Sequence, residues 1–279
     1  MPVYNGGATI EEAIESLLAQ TFTDFELLIS DNGSDDATES ICRAFVERDE
    51  RVRYVRQREN RGGVANFAFV RTGTSAPYFM WAAADDCWAP RFLEAVVPLL
   101  DEDMRAVMAF TLVQHFGIGE RGDWVVERIV DFDTPDLWTR ARRYILQPDG
   151  CGKANLAYSL MRRDALAISM DAWSWRPFGS DMLFVFHMLL RGHCRIAREI
   201  LFFKRHQPVS PVTWTLLGYL RENLIHSLSY VRVARLAGTS LAFRLDVLAL
   251  ASCKYARDLV LWSGWVMQAV ARRMRRALC

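Results

Sequence analysis

The sequence predicts an α/β fold in which a mostly parallel, Rossmann-like sheet is flanked by helices and followed by a helical extension. Three observations support this. Short apolar runs alternate with segments of helical periodicity in the first 98 residues, acidic residues follow two of those runs, and the periodicity is wholly helical from about residue 216. The 279 residues are 51% hydrophobic and 24% charged, which excludes a disordered or collagen-like chain.

The first elements follow from local spacing. Apolar residues at helical spacing begin after Thr9, a predicted N-cap, and Glu12 completes a capping box. Apolar runs that stop at polar turns predict strands. The predicted order is a helix over 9–19, a strand over 25–30, a helix from 37 to 45, a strand over 52–55, a helix over 64–72 and a strand over 78–83.

The later elements are less regular. We expect a helix over 181–191 and a strand near 200–203, then a helix from 216 that ends at Ala237-Gly238 and a second helix to the C-terminus. Residues 214–279 carry ten basic and three acidic groups, whereas the whole chain has a net charge of +1. The whole-chain charge therefore gives no argument for a nucleic-acid partner.

The cysteines and the hydropathy limit the class of protein. Six scattered cysteines without a CxxC pair make a zinc or redox site unexpected and favour a reducing, cytoplasmic setting. We also expect no secretory signal and no membrane span, because no apolar stretch approaches the roughly 20 residues that a span requires.

Acidic residues follow two predicted strands, at Asp31 and at Asp85-Asp86. Ligands of open parallel sheets bind beyond the carboxyl ends of the strands. Paired carboxylates there suit Mg²⁺ or Mn²⁺, which prefer oxygen ligands. The alternative is that Asp85-Asp86 caps the next helix, with Pro90 in its first turn.

Five ordered motifs carry a resemblance to a known family. They are residues 2–5 (PVYN), 20–26 (QTFTDFE), 31–34 (DNGS), 59–62 (ENRG) and 81–86 (WAAADD) with Pro90. In order and spacing the sequence resembles the family 2 glycosyltransferases of the GT-A fold, well to about residue 98 and more loosely to about 213. The early aspartate of the family's Asp-x-Asp form is missing, because Ala83 and Ala84 precede Asp85.

The resemblance implies three segments: a nucleotide-sugar-binding half over 1–98, an acceptor-binding and catalytic half over 99–213, and a basic helical extension over 214–279. It also implies site residues. The Pro2–Val3–Tyr4 segment and Asp31 would line the nucleoside pocket, Arg61, Gly62 and Asn66 would lie near the nucleotide and sugar, and Asp85 and Asp86 would hold Mn²⁺ or Mg²⁺, with Asp86 the expected direct ligand.

The implied reaction is metal-dependent, inverting transfer from a UDP- or dTDP-sugar to a glycan, lipid-linked or other hydroxyl acceptor, in cell-surface polysaccharide synthesis. A divalent cation stabilises the charge that develops on the departing diphosphate. Asp181, at a predicted helix start, is the expected general base. The alternative for Asp181 is a first-turn carboxylate favoured by the helix dipole, and Asp164 and Asp171 are weaker competitors.

Further expectations concern two loops and the C-terminus. His206 would ligate the metal or touch phosphate, or it is a solvated loop residue. Trp173 and Trp175 would stack on sugar, although core packing is the commoner fate of tryptophan. Trp262, Trp265 and the arginines of residues 272–276 favour contact with the inner face of a membrane, the alternative being a packed helical subdomain.

The family places a β-branched strand directly before the PVYN motif, and here only Met1 precedes it. We expect either that the native chain starts upstream or that another segment fills the gap, because buried strand edges need hydrogen-bond partners. Two other functions stay open. One is a nucleotidyltransferase, and the other is a membrane-associated scaffold that keeps the fold without catalysis.

Overall fold

Strands and helices alternate in the computed structural model, which describes residues 1–118, 123–126, 132–149, 152–169, 179–205 and 215–277. The first hundred residues form β1 (Pro2–Val3), α1 (Ile10–Leu18), β2 (Leu27–Asp31), α2 (Thr38–Arg48), β3 (Val52–Arg56), α3 (Gly63–Thr72), β4 (Tyr78–Phe79), β5 (Cys87–Trp88) and α4 (Phe92–Asp101).

The second half is longer and more irregular in its elements. It comprises β6 (Ala106–Ile118), β7 (Asp123–Val126), α5 (Leu137–Leu146), a 3-10 helix (Lys153–Tyr158), β8 (Leu160–Arg162), α6 (Arg163–Ser169), α7 (Ser180–Arg191), β9 (His193–Arg205), α8 (Leu216–Leu236) and α9 (Leu241–Ala277). Within the described residues, no helix combines the length and the hydropathy needed to cross a bilayer.

The first three strands are parallel, as predicted, and their order in the sheet is β1-β2-β3. All five residues of β2 are buried because helices cover both faces of this sheet, which explains the continuous apolar run. Helix α1 packs a stripe of Ile10, Ala13, Ile14 and Leu17 into the core, at the spacing that the sequence predicts.

The second sheet has the order β4-β8-β6-β9-β5, and β7 pairs with β6. Only β6 and β9 are parallel, so the prediction of a mostly parallel sheet holds for β1–β3 and for this pair, and the remaining pairs are antiparallel. Strand β4 is also shorter than the predicted 78–83. Trp81 lies beyond the end of the strand. Its apolar side chain is explained by burial in the core, where it packs edge-on to Phe79 and Phe184.

Met1 lies beside β2, where its terminal ammonium donates to Leu28 O at 2.7 Å. Burial lowers the pKa of this ammonium to about 5. A cavity of about 400 Å³, lined by residues of β2 and β4, adjoins Met1.

A buried cluster of charges joins the C-terminal helices to the body. Lys254 Nζ of α9 lies 2.6 Å from Asp258 Oδ2 and 2.8 Å from Asp149 Oδ2, and Lys153 Nζ lies 2.7 Å from Asp149 Oδ1. Both lysine side chains are fully buried. Burial favours a raised pKa for Asp149, but the two ammonium groups outweigh it and lower that pKa to about 2. Helix α9 is therefore fixed to the segment after α5 by ion pairs.

Replacing Lys254 by Met should lower the free energy of unfolding by about 3–5 kcal/mol, because the substitution leaves Asp149 and Asp258 buried with one cation fewer. Urea unfolding followed by circular dichroism measures this. Arg43→Met is the matched control, since it removes an exposed pair with Glu39 and should cost about 0.5 kcal/mol or less. Equal losses in the two variants would contradict a structural role for the cluster.

Candidate functional site

The loops after β1, β2 and β3 meet at the carboxyl edge of the first sheet. The backbone amide of Asn5 donates to Ser34 Oγ at 2.8 Å, and the amide of Asp35 donates to Asn5 Oδ1 at 3.0 Å. Tyr4 is exposed at this edge, whereas Pro2 and Val3 are buried in the sheet. The structure thus brings the motifs of residues 2–5 and 31–34 together, with Tyr4 as the member that solvent can reach.

Asp31 ends β2 and is buried at this edge. Its Oδ1 accepts from the amide of Ser34 at 2.8 Å, and its Oδ2 accepts from the hydroxyl of Tyr54 at 2.6 Å. Burial and then the Asp31 carboxylate raise the pKa of Tyr54, which therefore stays a hydrogen-bond donor. Arg56 Nε lies 3.8 Å from the same carboxylate. Each carboxylate oxygen has a second lone pair, so Asp31 is oriented and still able to accept from a ligand.

Tyr54 and Arg56 were not identified from the sequence. They lie two residues apart on β3, so their side chains project from the same face of the sheet as that of Asp31. The sequence did offer a signal for them: a tyrosine and an arginine two residues apart, on a strand next to the one that ends in Asp31.

Asn66 has a structural role at this edge. Its carboxamide is buried, with Nδ2 donating to Ser30 O at 2.9 Å and to Val3 O at 3.3 Å, and Oδ1 accepting from Ser30 Oγ at 2.6 Å. These contacts fasten α3 to β1 and β2. Asn66 therefore supports the sheet edge, and its place near the nucleotide stays a prediction of the resemblance.

Arg61 and Gly62 lie in an exposed loop directly before α3. The amide of Arg61 donates to Asn32 Oδ1 at 3.0 Å, and the amide of Gly62 donates to Asn60 Oδ1 at 2.9 Å. Gly62 has φ of +83°, a conformation that glycine adopts without strain. The loop is thus pinned to the one after β2, and the Arg61 side chain faces solvent.

The loop between β4 and β5 carries Asp85 and Asp86. The Asp86 carboxylate is buried, with Oδ1 accepting from the backbone amide of Arg205 at 2.9 Å and Oδ2 lying 3.4 Å from Lys204 Nζ. Burial raises the pKa of Asp86 to about 6, and the Lys204 ammonium opposes that rise. Helix α4 begins only at Phe92, so the alternative that this pair caps the next helix is not what the structure shows.

The predicted capping box at Thr9 and Glu12 is wrong. The hydroxyl of Thr9 makes no cap and donates to Ala84 O at 2.9 Å, while Glu12 forms an ion pair with Arg205. Arg205 Nε in turn donates to Asp85 O at 3.1 Å. Thr9 and Glu12 thus hold the loop of Asp85 and Asp86, Thr9 directly and Glu12 through Arg205. These contacts are long-range, although the spacing of the two residues is that of a local capping box.

The described residues offer a divalent cation two carboxylates. No group of three His, Cys, Asp or Glu side chains that could hold a metal occurs in the described part of the chain. Since Mg²⁺ in such sites is bound by one or two carboxylates plus substrate phosphates, the donor set fits a cation that arrives with a diphosphate. Asp85 is half-buried, whereas the oxygens of the buried Asp86 face residues 204 and 205.

Asp181 lies in the first turn of α7, as predicted. Burial raises the pKa of its carboxyl above the ordinary value, and Asp149 adds to the rise, whereas the amide of Met182 and the ammonium of Lys204 oppose it. A raised pKa suits a group that accepts a proton near neutral pH. The competitor Asp164 accepts from the amide of the next residue, Ala165, in the first turn of α6.

Tyr158, at the end of the 3-10 helix, feels the charge of all three aspartates. Burial raises its pKa, and the charges of Asp86, Asp85 and Asp181 add to that rise. Lys204 Nζ lies 4.9 Å from the centre of the Tyr158 ring. Neither Tyr158 nor Lys204 was identified from the sequence, because nothing local marks a tyrosine that ends a 3-10 helix as part of a site.

Several expected residues cannot be placed. His206, Asp171, Trp173 and Trp175 lie outside the described residues. Helix α9 contains Trp262, Trp265 and the arginines of residues 272–276, but their side chains are likewise outside the description.

The start of α7 is held by two buried side chains. Tyr144 donates to Met182 O at 2.8 Å, and Gly179, with φ of +68°, packs on the His226 imidazole. A Cβ at Gly179 would lie 2.5 Å from His226 Cε1. The backbone next to Asp181 is therefore positioned by α5 and α8.

Gly179→Ala should destabilise the protein by more than the roughly 1–2 kcal/mol that left-handed backbone costs an alanine, because the new methyl also meets His226. Gly238→Ala is the matched control, since Gly238 has φ of +73° and open space around it. Chemical unfolding of both variants measures how much more stability Gly179→Ala loses than Gly238→Ala. The same measurement on Gly179→Ala in a His226→Ala background tests the cause. If the larger loss persists without the imidazole, the contact with His226 does not explain it.

Comparison with known proteins agrees with this geometry. The family model described as glycosyl transferase family 2 matches residues 1–167. The glycosyltransferase GlyG of Streptococcus pneumoniae serotype 4 is 43% identical over 65 residues, which cover 23% of this chain and 21% of that protein. The chain spans between 14% and 37% of the length of the curated relatives it matches.

Solved structures share the fold. Residues 1–349 of TarS from S. aureus, in complex with UDP-GlcNAc, match at a TM-score of 0.66 and 16% identity, over 91% of this chain and 70% of that one. The mannosyltransferase PcManGT from Pyrobaculum calidifontis, in complex with GDP-Man and Mn²⁺, matches at 0.51 and 15%, over 97% and 78%. With the family model covering more than half of the sequence, the chain belongs to glycosyl transferase family 2.

Proposed function

We propose that the protein transfers a sugar from a UDP- or dTDP-linked donor to a hydroxyl group of an acceptor, with inversion at the anomeric carbon. The observation that carries this proposal is the aspartate loop, in which Asp85 is half-buried and Asp86 is held by Lys204 and Arg205 at the end of β9, with Lys204 also lying over the Tyr158 ring. The comparison supports a nucleotide-sugar donor, because related folds are known in complex with UDP and with UDP-GlcNAc.

The donor would bind across the loops that follow β1, β2 and β3. The oriented carboxylate of Asp31 can accept from the N–H of a pyrimidine ring, while the exposed Tyr4 and Arg61 flank the same edge. Arg61 is placed to meet a negatively charged diphosphate. In this proposal residues 1–98 bind the donor, residues 99–213 bind the acceptor and residues 214–279 form the helical extension.

We assign Asp85 as the carboxylate that would hold Mn²⁺ or Mg²⁺, with Asp86 keeping the loop in place through Lys204 and Arg205. A divalent cation bound there stabilises the negative charge on a leaving diphosphate. Lys204 brings a fixed positive charge to the same region, next to the Tyr158 ring.

Asp181 would act as the general base. The acceptor oxygen forms its bond to the anomeric carbon as the bond to the diphosphate breaks, and the hydroxyl proton passes to the Asp181 carboxylate. Attack from the face opposite the diphosphate inverts the configuration. The acceptor class, a glycan or lipid-linked glycan, and the assignment to cell-surface polysaccharide synthesis in the cytoplasm rest on the family resemblance alone.

Asp85→Asn should weaken Mn²⁺-dependent binding of UDP about tenfold or more, because an amide oxygen carries no charge for the cation. Isothermal titration with UDP, with and without Mn²⁺, measures the affinity. Glu47→Gln, an exposed change on α2, is the control. Unchanged affinity in Asp85→Asn would remove Asp85 from the metal site, and absent UDP binding by the folded wild type would favour the scaffold alternative.

Asp181→Asn should lower the rate of transfer by about 10²–10⁴-fold while the affinity for UDP stays unchanged, since the substitution removes only the proton acceptor. Release of UDP from a panel of UDP-sugars with candidate acceptors measures turnover. Because burial raises the pKa of Asp181, wild-type activity should fall, as the pH is lowered, at a higher pH than for an ordinary carboxylate.

The control for this experiment is Asp164→Asn, which alters a carboxylate at the start of α6. If the residual activity of Asp181→Asn still falls at low pH as that of wild type does, another group is the base. Release of pyrophosphate from a nucleoside triphosphate and a sugar phosphate, with no UDP release, would instead favour a nucleotidyltransferase.

A further inference from the structure

Helix α9 buries two charged side chains and exposes a row of leucines. Lys254 and Asp258 are buried in ion pairs, as described above. On the opposite side, Leu241, Leu245 and Leu248 are exposed, with 66% of Leu241 accessible. Their spacing of four and three residues places them on one side of the helix. Ordinary surface helices show the reverse arrangement.

Helix α8 has a similar exposed side. Leu217, Leu224 and Leu228 are exposed, with 78% of Leu217 accessible, at spacings of seven and four residues. We call these three leucines and Leu241, Leu245 and Leu248 the outer face. It runs along the outside of the helical pair that α8 and α9 form.

The outer face is not needed to build the core. The helical pair already buries Tyr230, Val233 and Ala234 from α8 and Val247 and Ala251 from α9. The exposed leucines of the outer face are therefore apolar area beyond what packing requires, and exposed apolar patches mark interaction sites.

The charges beside the outer face are mainly positive. Arg221, Arg232 and Arg235 are exposed among the leucines of α8. On the described part of α8 and α9 the acidic residues that reach the surface are the exposed Asp246 and the half-buried Glu222. Residues 214–279 carry a net charge of +7, whereas the rest of the chain carries −6. A second copy would bring the same arginines against each other, so the charge favours an anionic partner.

The surface of α5 extends this pattern. Trp138 is exposed and packs edge-on to Phe243 of α9, with ring centroids 5.7 Å apart. Arg142 and Arg143, also on α5, are exposed. Leucine and tryptophan flanked by arginine are the composition of helices that lie in the boundary between water and acyl chains.

We propose that α8 and α9 lie on the surface of an anionic lipid bilayer, with the outer face inserted among the acyl chains and the arginines at the headgroups. The contact is made by residues 217–248, in addition to the terminal segment that the sequence alone indicates. The proposal is independent of the catalytic one, since none of its residues belongs to the candidate site.

The test is sedimentation of the whole chain with vesicles of phosphatidylcholine alone and of phosphatidylcholine with 30% phosphatidylglycerol. We expect wild-type protein to bind the anionic vesicles preferentially. Leu241→Gln, Leu245→Gln and Leu248→Gln combined should reduce that binding at least tenfold. The matched control is Val46→Gln with Met104→Gln, two exposed apolar residues on other elements.

A second variant tests the charge. Arg221→Gln, Arg232→Gln and Arg235→Gln combined should weaken anionic binding by up to about 100-fold, roughly fivefold for each arginine, and reduce its salt dependence. Thermal unfolding should be near wild type in both triple variants, because the replaced side chains are exposed. The arginine variant keeps the test valid if the leucine variant unfolds.

Three results would overturn the proposal. One is absence of binding to anionic vesicles by folded wild type, and another is equal binding to neutral and anionic vesicles. The third is a dimer, seen by light scattering, that the leucine variant dissociates while vesicle binding is unchanged, which would identify a second copy as the occupant. Vesicle binding by Asp181→Asn should equal that of wild type, so failure of the catalytic proposal would leave this result intact.

Discussion

The candidate site depends on one buried carboxylate. Asp86 accepts from the backbone amide of Arg205 and faces Lys204, and these partners lie at the end of β9, more than a hundred residues away in sequence. A buried carboxylate is tolerated only where hydrogen bonds and a cation compensate for lost hydration. The contact therefore fixes the β4–β5 loop against β9 and, with it, the position of Asp85.

The same end of β9 serves the other half of the site. Lys204 lies over the ring of Tyr158, and its charge acts on both Asp86 and Asp181. Arg205 reaches back to α1 through Glu12. Residues of α1, of the β4–β5 loop and of the 3-10 helix thus contact two neighbouring cations on one strand. A displacement of β9 would move these contacts together.

The C-terminal helices belong to this arrangement as well as to a surface. The ion pairs of Lys254 hold α9 against the segment after α5, and His226 of α8 supports Gly179, two residues before Asp181. Charges that a helix would normally present to water are consumed inside the protein. The outside of the helical pair carries exposed leucines together with arginines, and it is the surface of the proposed membrane contact.

The sequence by itself determined the elements that local spacing encodes. Helices α1, α2 and α3, strands β2 and β3, the start of α7 at Asp181 and the helical C-terminus all follow from periodicity and turn residues, and the strand-end carboxylates follow from them. Only the tertiary structure decided which side chains meet. That Asn66 fastens the sheet, that Thr9 and Glu12 hold the aspartate loop, and that Tyr158 and Lys204 join the site depends on contacts between distant segments. Such contacts arise from packing in three dimensions, and a one-dimensional pattern carries no record of them.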